Sequence, residues 1–366
     1  MVIELNEKNI FTAGELVRAG KIVAFPTETV YGLGCDAFNS HALARVFEVK
    51  KRPRFDPLII HIASLDTLER LVDFSRLSMA AEQRLSVLGR ALWPGPLTLV
   101  MPKLKAVPDL ATGGLDTVAI RFPAHDGALR LIKESTGAVA APSANPFGYL
   151  SPTRAEHVLE QLGDAVDLVL DGGPTDIGME STVLDICGDV PRILRPGGTP
   201  QNMIETLTGP LAAESPGGGG KISSPGQLTS HYAPSKDLYL HTEAEMRRLA
   251  FPEDNAAYMF FNQASFEAFA VNNNIPLGHT DRYKRFFILS PSGSLAEAAA
   301  RLFDTLHTMD ALSAGPIHAE RPPDTGLGEA INDRLSRAAA ARTHRRLAQN
   351  RDLPGGGSSG SGWLLE

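Results

Sequence analysis

Small hydroxyl and cationic residues gather at the ends of short apolar runs in the first 200 residues, and together they have the chemistry of an anion holder. The segments are PTETVYGLG (26–34), KKRP (50–53), LIIHI (58–62), TVAIRF with Arg121, APSAN (141–145), ESTV (180–183) and LRPG (194–197). None has metal-ligand spacing, and none pairs an evident nucleophile with a base. Such a set suits a site that holds phosphates and a small zwitterion and does its chemistry by positioning.

Within KKRP, Pro53 biases Arg52 toward extended chain, so the helix 43–50 should stop there. Lys50 and Arg52 should then face one ligand while Lys51 faces elsewhere. A lysine point charge beside a planar arginine fork holds polyphosphate well. The plainer reading is a basic helix end meeting its own dipole. APSAN places Ser143 and Asn145 two apart in a turn between Pro142 and Pro146, at a strand's C-terminal end where α/β ligands collect; an ordinary polar turn reads the same way. Arg121 alternates with apolar neighbours and needs an anion, either an internal carboxylate or a ligand. His61 reads first as a satisfied core histidine. Thr27 and Thr29 give one face of their loop hydroxyls, as a plain polar turn would.

Other nucleotide and hydrolase signatures fail. Gly220-Lys221 is followed by Ile222, and position 215 is Ser, so there is no Walker A loop. GLGEAI (326–331) lacks the third glycine of a dinucleotide fingerprint, and GxSxG is absent.

The elements that must position these residues alternate in type. KIVAF (21–25), LIIHI, LTLVM (97–101), TVAIRF (117–122), AVAA (138–141), DLVLD (167–171) and TVLDI (182–186) read as strands. Residues 43–50, 77–88, 127–136 and 154–163 read as helices, the last with Thr153 and Glu156 as a capping box. The mixture predicts one large twisted, mixed α/β sheet over residues 1–212. Residues 213–235 are rich in Gly, Ser and Pro and read as a linker. From 236 to 350 a cleaner β–α alternation predicts a small, mostly parallel α/β domain of Rossmann-like character. Residues 351–366 carry no packing pattern and read as a flexible tail.

Bulk properties set the outer bounds. The chain has 366 residues and a net charge of −7, which argues against nonspecific coating of nucleic acid. Two cysteines, Cys35 and Cys187, without CxxC exclude a disulfide framework and a zinc finger and read as core thiols. No basic-then-apolar start and no run near ~18 apolar residues is present, so a cytoplasmic enzyme is the expectation.

Taken in order and spacing, PTETVYGLG, Lys50-x-Arg52-Pro53, WPGPLT (93–98), the Arg121 strand, Ser143-x-Asn145, ESTV and LRPG resemble the YrdC-like threonylcarbamoyl-AMP synthase family. SPG (224–226), HYAP (231–234) and GLGEAINDRLSRAA (326–339) extend the resemblance to its long two-domain form. The resemblance implies a YrdC-like twisted mixed α/β domain followed by a Rossmann-like one. It implies synthesis of L-threonylcarbamoyl-adenylate from L-threonine, bicarbonate or CO2 and ATP, with release of pyrophosphate. The product would supply the tRNA threonylcarbamoyl transferase machinery acting next to the anticodon. Thr29, His61, Arg121, Ala141 and Ser181 would line the threonine site. Lys50, Arg52, Asp56, Thr117, Ser143, Asn145, Ser151, Arg195 and Tyr232 would hold ATP, with Lys50 and Arg52 catalytic. Tyr232 would close over the nucleotide as part of a linker lid. Mg²⁺ would ride on the phosphates, with no protein metal site.

Two departures stand out. Asp56 occupies a position where the family often has Asn, and it would repel a triphosphate unless it faced Mg²⁺ or Arg54. Gln227 and Thr229 replace a Met and an aromatic in the linker. Two other functions remain open to the residues. A hydrogenase-maturation carbamoyl transferase shares the module but carries zinc-finger cysteines that are missing here. An RNA-binding module with a degenerate nucleotide site would use the basic helix bearing Arg334, Arg337, Arg342, Arg345 and Arg346, although a solvated helix face is the plainer reading.

Overall fold

The structure is a computed structural model that describes residues 1–212, 232–251, 255–276, 285–312 and 315–351, with side chains through 340. Ten strands form the first sheet: β1 (Val2–Glu4), β2 (Val23–Phe25), β3 (Gly32–Asp36), β4 (Ile59–Ile62), β5 (Leu97–Pro102), β6 (Thr117–Arg121), β7 (Ala138–Ala140), β8 (Leu168–Asp171), β9 (Thr182–Asp185) and β10 (Arg192–Arg195). Their order is β1-β8-β2-β3-β7-β4-β6-β5-β9-β10, with parallel and antiparallel neighbours mixed.

Register decides which residues meet, because partners across a ladder share a face. Ile60, Ile120, Leu99 and Leu184 form one row and enter the main apolar core. The next row carries His61, Arg121, Thr98 and Val183 to the opposite face. The same strands thus supply core from one residue and chemistry from its neighbour.

Four strands form the second sheet, all parallel: β11 (Leu238–His241), β12 (Ala257–Phe260), β13 (Phe286–Ile288) and β14 (Ile317–Glu320), in the order β11-β14-β12-β13. One face packs Tyr258, Phe260, Phe266, Phe269 and Phe286 together. The other shares a core with the first sheet's domain, where Val30, Leu150 and Met179 meet Leu302, Phe303 and Leu306. Each such apolar side chain stabilises the contact by about 1.5–3 kcal/mol when fully buried. Gly178 marks how close the approach is. Its φ is +66°, and a Cβ there would lie 2.3 Å from the Ala300 carbonyl oxygen. Only glycine fits that position.

Both predicted sheets are present, with some local differences. The strands β1, β3 and β10 and the helix Glu7–Arg18 were not among the sequence expectations. The proposed capping box at Thr153 does not form. The N-cap is Arg154 without a side-chain bond, and the Thr153 N–H instead donates to His157 Nδ1 at 3.3 Å. Cys35 is buried and Cys187 half-buried, and both are free thiols. Most of the expected linker (213–231) and the tail beyond residue 351 lie outside the described residues. Among the described residues no helix is long and apolar enough to cross a membrane.

Candidate functional site

A cleft opens over the polar row of the first sheet. It is lined by Thr27, Thr29, Val30, Gly32, Arg52, Ile59, His61, Arg121, Ala141, Pro142, Ser143, Glu180, Ser181, Arg195 and Tyr232. It encloses about 550 Å³ of non-protein space, solvent-open volume included. All five residues expected at a threonine site line it, with four of the nine expected at ATP: Arg52, Ser143, Arg195 and Tyr232.

Arg121 ends β6 and is 3% exposed. Its Nη1 donates to Thr29 Oγ1 at 2.8 Å and its Nε to the Gly95 carbonyl at 3.3 Å. Its Nη2 lies 2.8 Å from Glu28 Oε1, yet neither Glu28 oxygen has a hydrogen bond of proper geometry. The anion Arg121 requires is therefore an internal carboxylate here, and the pairing satisfies charge better than it satisfies hydrogen bonding. Beside it, His61 is buried, and its Nδ1 has no partner. Burial, then the Arg121 charge, push its pKa down to about 3. The imidazole is neutral at ordinary pH and has one nitrogen to offer a ligand. Ser181 Oγ shares a hydrogen bond with Thr98 Oγ1 at 2.8 Å.

The KKRP expectation needs a different mechanism from the one the sequence suggested. The helix Ser40–Lys50 ends because Lys51 takes a left-handed conformation, φ 52°. Lys51 is exposed, while Lys50 and Arg52 are buried. They do not face the cleft together. Lys50 Nζ donates to the carbonyls of Ser143, at 2.6 Å, and Asn145, so it clamps the APSAN turn from behind. Burial and then the Arg52 charge push its pKa well below the usual lysine value. Arg52 reaches the cleft and is held by the Asp56 and Pro57 carbonyls at 3.1 and 2.8 Å.

Asp56 pairs with Arg52, not Arg54, and is not among the cleft's lining residues. It is buried with its Oδ2 2.9 Å from Arg52 Nη2. Burial raises its pKa although Arg52 and Lys50 oppose this. Asn145 bonds its own turn through Nδ2, to the Pro146 and Tyr149 carbonyls at 2.9 and 3.0 Å, and leaves Oδ1 without a partner. Ser151 donates to Glu180 behind the cleft wall. Thr117 stands at the other end of β6, four residues from Arg121 and so roughly 13 Å away along the strand. It is not among the cleft's lining residues.

The wall nearest the second domain carries Arg195, Glu180 and Tyr232. Arg195 donates twice to the Ser181 carbonyl, at 3.2 and 2.8 Å, and once to its hydroxyl. Tyr232 is 1% exposed, packs 5.8 Å from Phe303 and shares a side-chain hydrogen bond with Arg195. Arg334 from the helix Leu327–Arg351 is also 1% exposed. For two of the five arginines this corrects the reading of a solvated or RNA-facing basic stripe: Arg334 is paired inside the protein, and Arg337 bonds Asp333 at 2.9 Å, while the side chains of Arg342, Arg345 and Arg346 lie outside the described residues. Sequence reasoning missed Glu28, Thr98, Glu180 and Arg334 as parts of the site. Glu28 and Glu180 stood inside quoted motifs, but their partners Arg121 and Arg334 lie far along the chain, so no local signal marked them.

Comparison with known proteins covers nearly all of residues 15–340. The domain family described as "Telomere recombination" matches residues 15–197, and the one described as "Threonylcarbamoyl-AMP synthase, C-terminal domain" matches 199–340. The threonylcarbamoyl-AMP synthase of Pyrococcus abyssi is 39% identical over 349 residues, covering 92% of this chain and 96% of the relative. That of Bacillus subtilis is 39% identical over 348 residues, covering 94% and 96%. The crystal structure of P. abyssi Sua5 complexed with L-threonine matches with a TM-score of 0.80 at 38% identity, covering 93% of this chain and 98% of that one. With both sheets, their order along the chain and nearly the full length in common, this chain belongs to the two-domain form of the threonylcarbamoyl-AMP synthase family.

Proposed function

We propose that the cleft makes L-threonylcarbamoyl-adenylate from L-threonine, bicarbonate or CO2, and ATP, releasing pyrophosphate for tRNA threonylcarbamoylation. The observation that supports it most is one row of the sheet. It sets a guanidinium, a neutral imidazole and hydroxyls beside two further buried arginines, Arg52 and Arg195, in a single cleft. A zwitterionic amino acid and a nucleotide need those two halves side by side. A relative's structure holds L-threonine.

Arg121 takes the substrate carboxylate, for which Glu28 is the internal counterpart. Thr29 and Ser181 offer hydroxyls, and Ala141 with Ile59 gives an apolar wall for the substrate methyl. Neutral His61 accepts from the substrate amine or hydroxyl without adding charge. The carbamate formed from that amine attacks the α-phosphorus in line, and pyrophosphate leaves with the P–O bond electrons. Arg52 and Arg195 stabilise the charge developing on the phosphoryl oxygens. Lys50 contributes by fixing the turn that presents Ser143. Tyr232 covers the nucleotide side and excludes water from a hydrolysable adenylate.

Mg²⁺ on the triphosphate belongs to this reading and would neutralise phosphate charge. Among the described residues no three of His, Cys, Asp or Glu form a metal cluster, and Glu28, Asp56 and Glu180 each face an arginine. That donor set suits an ion carried by the nucleotide and water, not a protein cage. The setting is cytoplasmic, where ATP and the tRNA-modifying machinery act. The test is pyrophosphate release with ATP, threonine and bicarbonate, each omitted in turn. Equal turnover with ATP alone would overturn the assignment.

A further inference from the structure

The wall of the cleft nearest the second domain poses an electrostatic problem. Glu180 lines the cleft and is 6% exposed. A carboxylate there repels a triphosphate strongly, since little water screens it. Its Oε1 accepts from the Ser151 hydroxyl, which carries no charge. Its Oε2 lies 2.9 Å from Nε of Arg334, a residue 154 positions away on the last helix. Arg334 Nη2 donates to the Pro196 carbonyl at 2.9 Å, next to Arg195. Its guanidinium stacks on the Tyr232 ring at 4.8 Å. Nη1 pairs with Asp333 at the domain boundary. Arg334 does not itself line the cleft.

We propose that Arg334 is a positioning residue through which the second domain completes the nucleotide half of the cleft by cancelling the Glu180 charge. This rests on the ATP reading above. The first domain alone places a buried acid in its own phosphate site, and the only arginine that reaches that acid with a hydrogen bond among the described residues comes from the second domain. Burial alone would raise the Glu180 pKa; the Arg334 charge first, then Arg195 and the Ser151 hydrogen bond, hold it low. Among the described residues Arg121 and His61 form no hydrogen bond or ion pair with Glu180 or Arg334, although Ser181 directly follows Glu180.

Arg334→Met leaves Glu180 buried and charged, and Arg334→Met/Glu180→Gln removes both charges together. The full-length protein is assayed for adenylate formation while ATP and threonine are varied separately. Arg334→Met is expected to raise the KM for ATP tenfold or more, with the KM for threonine within threefold of the parent. The double variant is expected to return the ATP KM to within threefold. Equal rises in both KM values, no rise, or no recovery in the double variant would overturn the proposal. If Arg334→Met does not fold, Arg334→Lys and the double variant decide, since each keeps the buried charge balanced; an ATP KM tenfold above the parent in either would overturn it. A parent protein that makes no adenylate would instead sink the functional reading and leave the pairing as an architectural contact.

Discussion

The two sheets handle their buried carboxylates in opposite ways. The ten-stranded sheet buries Glu28, Asp56, His61 and Arg121 with hydrogen-bonding capacity left over. The four-stranded parallel sheet has the topology that usually receives ligands at its strands' carboxyl ends. There, however, Glu320 accepts from the Phe261 N–H at 3.1 Å and the Ser265 hydroxyl at 2.8 Å, and His241 bonds His318 at 2.9 Å. Its interior is an aromatic cluster. A buried carboxylate left without hydrogen bonds is a cost that an architectural site avoids. The first sheet bears that cost where chemistry needs it; the second satisfies its buried carboxylate and serves as support.

The largest expected effect that could break this contrast comes from Arg121. Arg121→Ala should raise the threonine KM about 100-fold or more and cost about 3–5 kcal/mol of stability, because Glu28 is left buried and unpaired. Adding Glu28→Gln should restore much of the stability and none of the threonine use. A double variant that regains both would make the pair architectural, like those of the second sheet. Threonine dependence matching the parent would exclude the carboxylate clamp.

Arg52→Ala and Lys50→Ala should each lower turnover by about 100-fold, by different routes. Arg52 acts on the nucleotide. Lys50 acts through the APSAN turn, so its loss should also lower the melting temperature. Lost turnover with unchanged melting in Lys50→Ala would move the lysine back to the phosphates.

The acid side of the pH range gives a smaller effect. Burial lowers the pKa of His61 and of His157 to about 3, and His157 stacks on His307 across the domain boundary at 3.8 Å. The unfolded chain therefore binds more protons than the native one between about pH 6.5 and 3. Stability is full above the upper value and falls as pH drops, by up to about 2 kcal/mol per histidine at pH 5. Denaturant unfolding at pH 7 and 5 measures it, and His157→Gln should flatten the slope. A flat profile in the parent would mean these rings are not buried neutral. Smallest of all, Glu320→Gln should leave turnover within twofold while costing about 1 kcal/mol. A tenfold loss of turnover would show that the second sheet does chemistry after all.

How much of this was legible depends on the distance over which each residue is explained. Strands such as LIIHI and TVAIRF were readable because apolar runs bounded by turn residues are local signals. The strand GLGCD at β3 was not, since two glycines hide it and only its neighbours in the sheet make it a strand. Arg121's need for an anion was legible, but its identity as Glu28 was not, because register across strands and the turn of PTETVYG decide it. Lys50 and Arg52 were separated by Lys51's left-handed backbone, which no propensity predicts for lysine. Arg334 was the least readable. Its helix carries an apolar stripe through Ile331, Leu335 and Ala338, and nothing local to Arg334 shows that docking buries the arginine beside that stripe.

The 154-residue gap between Glu180 and Arg334 has a consequence for the protein while it is being made. At ribosomal speeds of ~5–20 residues per second, the partner of Glu180 is polymerised on the order of ten seconds after it. During that interval the first sheet can collapse around its local core, but the carboxylate has no counter-charge from the last helix. The nascent first domain is therefore born with Glu180 facing only Arg195 as a nearby counter-charge, and that wall of the cleft is completed only once the end of the chain has docked.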